Sequence, residues 1–201
     1  MTMDSPLAAI FSLLLLIIAF FYLFRLVGCR TQIHPFDAEN EVGHGLMAIG
    51  MMVMLAPTDW LSPDIIRWNV ILFALFTLWF IGRLFTRKPL LAIMLQTPGA
   101  HSTVRADALH VLMHGGMCYM FLLMSSMVLS MTQPALYASC IFFVAFAFLI
   151  LFYGREISND LHAAKMDWLQ CSANIAHALM SGMMCWMFLD MISMTISMGR
   201  S

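Results

Sequence analysis

The chain has 201 residues, of which 62% are hydrophobic and 10% are charged, with a net charge of −1 and a mean hydropathy of +0.86. This composition offers too little polar surface to cover a soluble globule of that size, so we place the chain in a lipid bilayer. No basic patch is present that would bind nucleic acid. The sequence also shows no nucleophile with its base, no phosphate-binding loop and no paired carboxylate site, so an enzymatic activity is the weaker expectation.

Six apolar segments are long enough to cross a hydrocarbon core of about 30 Å at a rise of about 1.5 Å per residue. In chain order they are Pro6–Val27, Glu41–Ala56, Ile65–Phe85, Ala106–Met131, Pro134–Tyr153 and Asp167–Met198. We therefore predict an all-α, polytopic membrane protein with six transmembrane helices. The residues before the first segment include no Lys or Arg, so we expect this helix to be retained and not cleaved as a signal peptide.

The basic residues predict the orientation of the chain. They divide 8 to 2 in favour of the connections that follow the first, third and fifth segments. These eight are Arg25, Arg30, Arg83, Arg87, Lys88, Arg105, Arg155 and Lys165. Since cytoplasmic loops carry the excess of Lys and Arg, these three connections should be cytoplasmic and both termini outside. We expect the protein to be integral to the plasma (inner) membrane.

A polar residue, a histidine and three methionines recur three times in one frame, at intervals of 66 and 67 residues. The copies are Glu41-x-x-His44-x-x-Met47-x-x-x-Met51-x-x-Met54, Asp107-x-x-His110-x-x-Met113-x-x-x-Met117-x-x-Met120 and Asn174-x-x-His177-x-x-Met180-x-x-x-Met184-x-x-Met187. A fixed period indicates internal duplication. We assign the repeats to residues 1–66, 67–133 and 134–201 of a single membrane domain. Each repeat would be a helical hairpin, with an ordinary apolar helix first and the motif helix second.

The frame places the donors on one side of each motif helix. At about 100° per residue, the histidine and the methionines three and seven positions later lie within an arc of roughly 60° on one helix face. Three such helices around a pseudo-threefold axis would stack these groups into layers. From the cytoplasmic end the layers would be Glu41/Asp107/Asn174, His44/His110/His177, Met47/Met113/Met180, Met51/Met117/Met184 and Met54/Met120/Met187.

The histidines and methionines of these layers form the predicted metal site. Imidazole and thioether groups suit a soft cation such as Cu(I), and the polar layer could fix the imidazole tautomers by hydrogen bonding. The competing interpretation is that the methionines fill irregular helix contacts and that the histidines are satisfied inside the bundle. Leucine would pack as well as methionine, and polar residues inside a membrane are usually functional. The metal interpretation is therefore preferred for the set.

Four histidines lie outside the repeated frame. His34, His101 and His162 fall one in each cytoplasmic connection and could form an entry or exit relay, or could simply be solvated. His114 occurs only in the second repeat, one turn after His110. It could add a ligand or bond to a neighbouring carbonyl group.

The Met-x-x-x-Met pairs carry a resemblance to a known family. Met47/Met51, Met113/Met117 and Met180/Met184 resemble the motif that lines the pore of the Ctr-type copper transporters, which assemble three chains around a threefold axis. The resemblance implies a covalent pseudo-trimer of that arrangement. That family has three helices per chain and a Gly-x-x-x-Gly pair, both of which differ from the repeats here. The overall pattern is also similar to His/Met-rich integral membrane proteins of actinobacteria, which implies no particular activity.

Three classes of function follow from this ligand set. The first is a copper channel, transporter or membrane copper store. The second is a haem-binding electron-transfer protein in which His and Met supply axial ligands. The third is an accessory subunit that delivers copper to a respiratory cuproenzyme. The small residues beside the histidines favour an ion over a haem.

The predicted orientation can be tested with reporter fusions at Ser201 and after Lys88. Because the basic connections should be cytoplasmic, the fusion after Lys88 should be active in the cytoplasm and the one at Ser201 outside. Finding both reporters on one side would contradict the predicted helix count.

Overall fold

The computed structural model describes residues 6–28, 35–56, 61–86, 104–126, 132–162 and 168–198. Within these ranges the chain forms helices and no strand. The helices are α1 (Pro6–Gly28), α2 (Pro35–Met54), α3 (Pro63–Thr86), α4 (Val104–Ser125), α5 (Gln133–His162) and α6 (Trp168–Met198). The all-α fold class predicted from the sequence is confirmed.

Local sequence explains where several helices begin. Helices α1, α2 and α3 each start at a proline, which is favourable there because the first helical N–H has no partner within the helix. Before α3, the Ser62 hydroxyl accepts a hydrogen bond from the Ile65 N–H at 3.3 Å. Before α5, the Thr132 hydroxyl accepts one from the Ala135 N–H at 3.4 Å. Such caps satisfy N–H groups that the first turn leaves open.

Five of the six helices are long and apolar enough to cross a membrane. The chain is therefore a polytopic helical membrane protein. Helix α2 does not meet this description, because Asp37, Glu39 and Glu41 lie in its first two turns. The predicted start of this helix at Glu41 is wrong. The helix begins at Pro35, since a helix can continue through charged residues that a hydropathy criterion excludes.

Two other predicted helix ends are also wrong. Helix α4 ends at Ser125 and not at Met131; at this end the Ser125 hydroxyl donates a hydrogen bond to the Leu122 carbonyl at 2.7 Å. Helix α5 continues from Tyr153 to His162. At 30 residues it is about 45 Å long, which exceeds the hydrocarbon thickness. Its last residues are polar, so apolar character could not reveal them.

The helices pack mainly as hairpins, α1 with α2, α3 with α4 and α5 with α6. Helices α1–α4 form one compact unit, and α5 and α6 form another. Within the first unit α2 also packs against α4, so two motif helices lie side by side. Helix α6, which carries the third motif, belongs to the second unit. The pseudo-threefold arrangement of the motif helices and the single membrane domain remain predictions.

The second and third hairpins repeat the same aromatic contact. Phe73 stacks on Phe121 with ring centroids 5.7 Å apart, and Phe146 stacks on Phe188 at 5.8 Å. Phe121 and Phe188 occupy equivalent positions, eleven residues after the motif histidine. The duplication seen in the sequence is thus present in the packing inside these two hairpins.

The cysteine thiols of the second and third hairpins also make equivalent contacts. The Cys118 thiol donates to the Val70 carbonyl at 3.7 Å, and the Cys185 thiol donates to the Phe143 carbonyl at 3.9 Å. Each thiol therefore faces the first helix of its own hairpin. These contacts agree with a packing role for both cysteines.

Exposure separates the helices that lack the motif from those that carry it. Between 11% and 22% of the residues in the apolar spans of α1, α3 and α5 are buried, against 44% in α4 and 39% in α6. The exposed residues of α1, α3 and α5 include large apolar side chains such as Phe20, Leu78 and Phe148. These faces suit contact with lipid.

Candidate metal site

Two of the predicted ligand histidines meet in the first unit. His44 of α2 and His110 of α4 are both buried, and their ring centroids are 4.6 Å apart with the planes tilted by 50°. This contact is the direct result of α2 packing against α4. His177 of α6 is half-buried and lies in the second unit.

Each motif histidine packs against an aromatic ring from the first helix of its hairpin. Tyr22 stacks on His44 with ring centroids 5.0 Å apart, and Phe80 stacks on His110 at 4.5 Å. In the third hairpin Tyr153 tilts against His177 at 4.9 Å. Stacking fixes the plane of each imidazole, so its ring nitrogens point in defined directions.

All nine methionines of the repeated frame are buried. They are Met47, Met51, Met54, Met113, Met117, Met120, Met180, Met184 and Met187. Of the off-frame methionines on the same helices, Met52 is half-buried and Met124 is 38% exposed, whereas Met183 is buried like the framed ones. All nine positions of the frame therefore face protein and not lipid.

Gly50 allows α2 to come close to the donors of α4. A Cβ atom at this position would lie 2.9 Å from the Met117 methyl carbon and 2.5 Å from the ring of Phe73. Real Cβ atoms do not approach other atoms this closely, so a side chain here would push both neighbours away. Small residues have this role in many membrane helix contacts.

The predicted polar layer is occupied by ion pairs and hydrogen bonds across each hairpin. Glu41 pairs with Arg25 at 2.8 Å, and Asp107 pairs with Arg83 at 2.9 Å. In the third hairpin the Asn174 amide donates a hydrogen bond to Asp160 at 2.8 Å. The role predicted for this layer, fixing the imidazole tautomers, stays a prediction.

Arg83 connects three helices of the first unit. Its fully buried guanidinium donates to Glu39 at 2.9 Å and to Asn40 at 3.1 Å, both on α2, and pairs with Asp107 on α4. The Trp79 indole N–H donates to the same Glu39 oxygen at 3.1 Å. A buried charge is tolerated only with such partners, so this network fixes α2 and α4 relative to α3.

The sequence interpretation missed these arginines as site residues. It placed Arg25 and Arg83 in cytoplasmic connections, whereas they lie inside α1 and α3 and face acids of the motif helices. The sequence does mark these positions, because an aromatic residue lies three residues before each arginine and before the equivalent residue of the third hairpin. The pairs are Tyr22-x-x-Arg25, Phe80-x-x-Arg83 and Tyr153-x-x-Glu156. The third hairpin thus carries a glutamate where the others carry arginine.

His114 is fully buried in the α3–α4 hairpin, where its neighbours include Phe76 and Phe80. The Nδ1 atom lies 2.9 Å from the His110 carbonyl oxygen. A carbonyl can only accept, so Nδ1 carries the proton in this contact. The hydrogen bond to a neighbouring carbonyl, one of the two predicted roles, is present.

Of the three histidines expected in connections, His162 is the one within the described ranges. It is exposed, and it is the last residue of α5 and not part of a loop. Its Nδ1 donates to the Ser158 carbonyl at 2.7 Å, one turn earlier. His34 and His101 lie outside the described residues.

Within the described ranges, no group of three or more His, Cys, Asp and Glu side chains is arranged to hold a metal ion. Zinc sites are built from such residues.

Comparison with known proteins identifies one family. Its model, described as a domain of unknown function (DUF5134), matches residues 36–191, which is most of the chain. The matched range contains all three copies of the His/Met motif. No curated protein and no solved structure matches the chain.

Replacing Arg83 with methionine should destabilise the protein by roughly 3–5 kcal/mol, because Glu39 and Asp107 would be left buried without their cation. The measurement is equilibrium unfolding in detergent micelles. Much of the loss should be recovered in the triple variant R83M/E39Q/D107N, which removes all three charges.

The matched control is Arg67→Met. Arg67 and Asp64 form an exposed pair at 3.7 Å, with 74% and 78% of their side chains accessible. The loss of this pair should cost less than about 1 kcal/mol. Equal effects of R83M and R67M on the unfolding free energy would contradict the role given to Arg83.

Proposed function

The chain belongs to the DUF5134 family, and we propose that it is a membrane Cu(I)-binding protein that passes or stores copper along its methionine ladders. The observation that carries this proposal is the contact of His44 with His110 beside methionines that are all buried. Two ladders of imidazole and thioether donors thereby lie next to each other in the first unit.

The choice of donor supports copper. Leucine has nearly the same volume as methionine and packs as well in a helix contact, yet the frame keeps sulfur at nine of nine positions. Thioethers are weak ligands for Zn²⁺, Mg²⁺ and Ca²⁺ and good ligands for Cu(I). Buried thioethers at all of these positions therefore favour a soft ion.

The spacing of the ladder supports passage or storage of several ions. Along one motif helix the methionines lie about 4.5, 10.5 and 15 Å from the level of the histidine. An ion leaving one layer would find the next soft donors one turn away. The same step-like arrangement is implied by the resemblance to the Ctr-type transporters.

The geometry of the histidine pair favours an ion over haem. A haem held by His44 and His110 would have to lie between the two rings, with an axial bond on each of its faces. The ring centroids are 4.6 Å apart and the outer faces are covered by Tyr22 and Phe80. This pair has no space for a macrocycle.

The test is a triple substitution, M47L/M113L/M180L, which removes one sulfur from each ladder. The packing cost should be below about 1.5 kcal/mol per site, so the protein should fold and lose Cu(I) binding. Binding is measured by competition with a chromogenic Cu(I) chelator on purified protein in detergent. A second variant, H44A/H110A/H177A, should either lose Cu(I) binding or bind Cu(I) much more weakly.

The matched control is M52L/M124L/M183L, which removes one off-frame sulfur from each of the same helices. This control should keep the copper stoichiometry and affinity of the unchanged protein. A folded M47L/M113L/M180L protein with unchanged copper binding would show that these methionines serve only in packing.

A further inference from the structure

We propose that Asp107 supplies the counter-charge for a Cu(I) ion bound at the level of His44 and His110. This inference rests on the proposed function and names a residue that sets the affinity of that site and the ionic charge it accepts. Asp107 is fully buried and lies three residues before His110 on α4. It acts on the ion through its charge and is not itself a ligand.

The ligands of the proposed copper site carry no charge. Neutral imidazole and thioether groups suit Cu(I) as donors, but they leave its single positive charge uncompensated. A net charge in a buried environment of low dielectric constant costs free energy unless an opposite charge lies nearby. The site therefore needs one negative charge close to the histidines, in addition to its donor atoms.

The ion pairs beside the histidines contain one carboxylate more than guanidinium groups. Arg25 pairs with Glu41 at 2.8 Å, and this pair has no net charge. Arg83 pairs with both Glu39 and Asp107, each at 2.9 Å, and one positive and two negative groups together carry a charge of −1. Among the ion pairs that the structure describes at this end of the first unit, the excess negative charge therefore lies on the three groups around Arg83.

This excess charge lies close to His110, and an aromatic ring lies between the guanidinium and the imidazole. The Arg83 guanidinium carbon lies over the Phe80 ring, 5.0 Å from its centroid, and Phe80 stacks on His110 at 4.5 Å. Asp107 is about 4.5 Å from His110 along the axis of α4. Such surroundings screen charges weakly, so one negative charge at this distance should strengthen the binding of a cation at the histidines by about tenfold or more.

The charge count also distinguishes a monovalent ion from a divalent one. In the metal-free protein two buried carboxylates share one guanidinium, which costs free energy. A bound Cu(I) would bring the total charge of the ion and these three groups to zero, whereas Zn²⁺ would leave an excess positive charge. Asp107 thus adds an electrostatic selection to the one that the thioethers provide.

Two conservative substitutions change this charge in opposite directions. In the third repeat the position of Asp107 is occupied by Asn174, which is also buried, so an amide fits at this place in the hairpin. Asp107→Asn removes the excess negative charge. Asn40 on α2 accepts a hydrogen bond from Arg83 at 3.1 Å, so Asn40→Asp keeps an acceptor there and adds one negative charge.

The experiment measures the Cu(I) affinity and the unfolding free energy of the metal-free protein, both on the purified full-length chain in detergent micelles. D107N should weaken Cu(I) binding by about tenfold or more without lowering the stability of the metal-free protein. N40D should strengthen Cu(I) binding and lower that stability. The double variant N40D/D107N restores the charge of −1 and should recover most of the affinity. Asp64→Asn, at a side chain that is 78% accessible, is the control and should leave the affinity unchanged.

The outcomes separate this inference from the proposed function. If D107N keeps its affinity while M47L/M113L/M180L loses copper, the proposed function stands and the counter-charge is overturned. If D107N loses affinity and stability together, Asp107 has a structural role and the inference is also overturned. Failure of N40D/D107N to recover affinity would show that Asp107 acts by contact and not by charge, with the same consequence. If the unchanged protein binds no Cu(I), the proposed function fails and this inference fails with it.

Discussion

The buried guanidinium of Arg83 is the group on which the first unit depends, because a charge inside a membrane protein needs opposite charges around it. Arg83 obtains them from α2 and α4 at once, through Glu39 and Asp107. These are the helices that carry His44 and His110, so the ion pairs fix the register in which the two imidazoles meet. After Glu41 in α2 and after Asp107 in α4 no further charged residue follows, and the helix contact passes to methionine, histidine and glycine. The charged end of this contact fixes α2 and α4 together, and the apolar remainder carries the histidine and methionine side chains.

Much of the fold and part of the site could be predicted from the sequence. The fixed period gave the hairpins and the frame of methionines, because a duplicated pattern survives in the order of residues, and all nine framed methionines are buried. The roles of Arg25 and Arg83 could not be read in the same way. Basic residues near helix ends are normally solvated and report orientation, and their acidic partners lie across a hairpin, beyond the reach of local patterns. The extension of α5 beyond Tyr153 was missed for a related reason. Hydropathy indicates which residues lie in the bilayer and not where a helix ends.

The three hairpins keep the same packing but differ in chemistry. Equivalent aromatic and thiol contacts recur in the second and third hairpins, which shows that packing constrains those positions. The polar positions vary: Glu156 stands where the other hairpins have arginine, and Asn174 bonds to Asp160 where they have ion pairs. Likewise only the second repeat adds an imidazole, His114, to its ladder. The repeats therefore supply similar frameworks with different polar groups, and under the proposed function the ions bound along them would not be equivalent.

The most direct test of the central claim is the metal content and optical spectrum of the purified protein after exposure to Cu(I) and removal of loosely bound metal. The account predicts that copper is retained at a defined stoichiometry, that Zn²⁺ is not retained under the same conditions, and that the spectrum has no Soret band. Thioether ligands select Cu(I) in this comparison. A protein that retains no copper, or one that is isolated with a Soret band, would contradict the account.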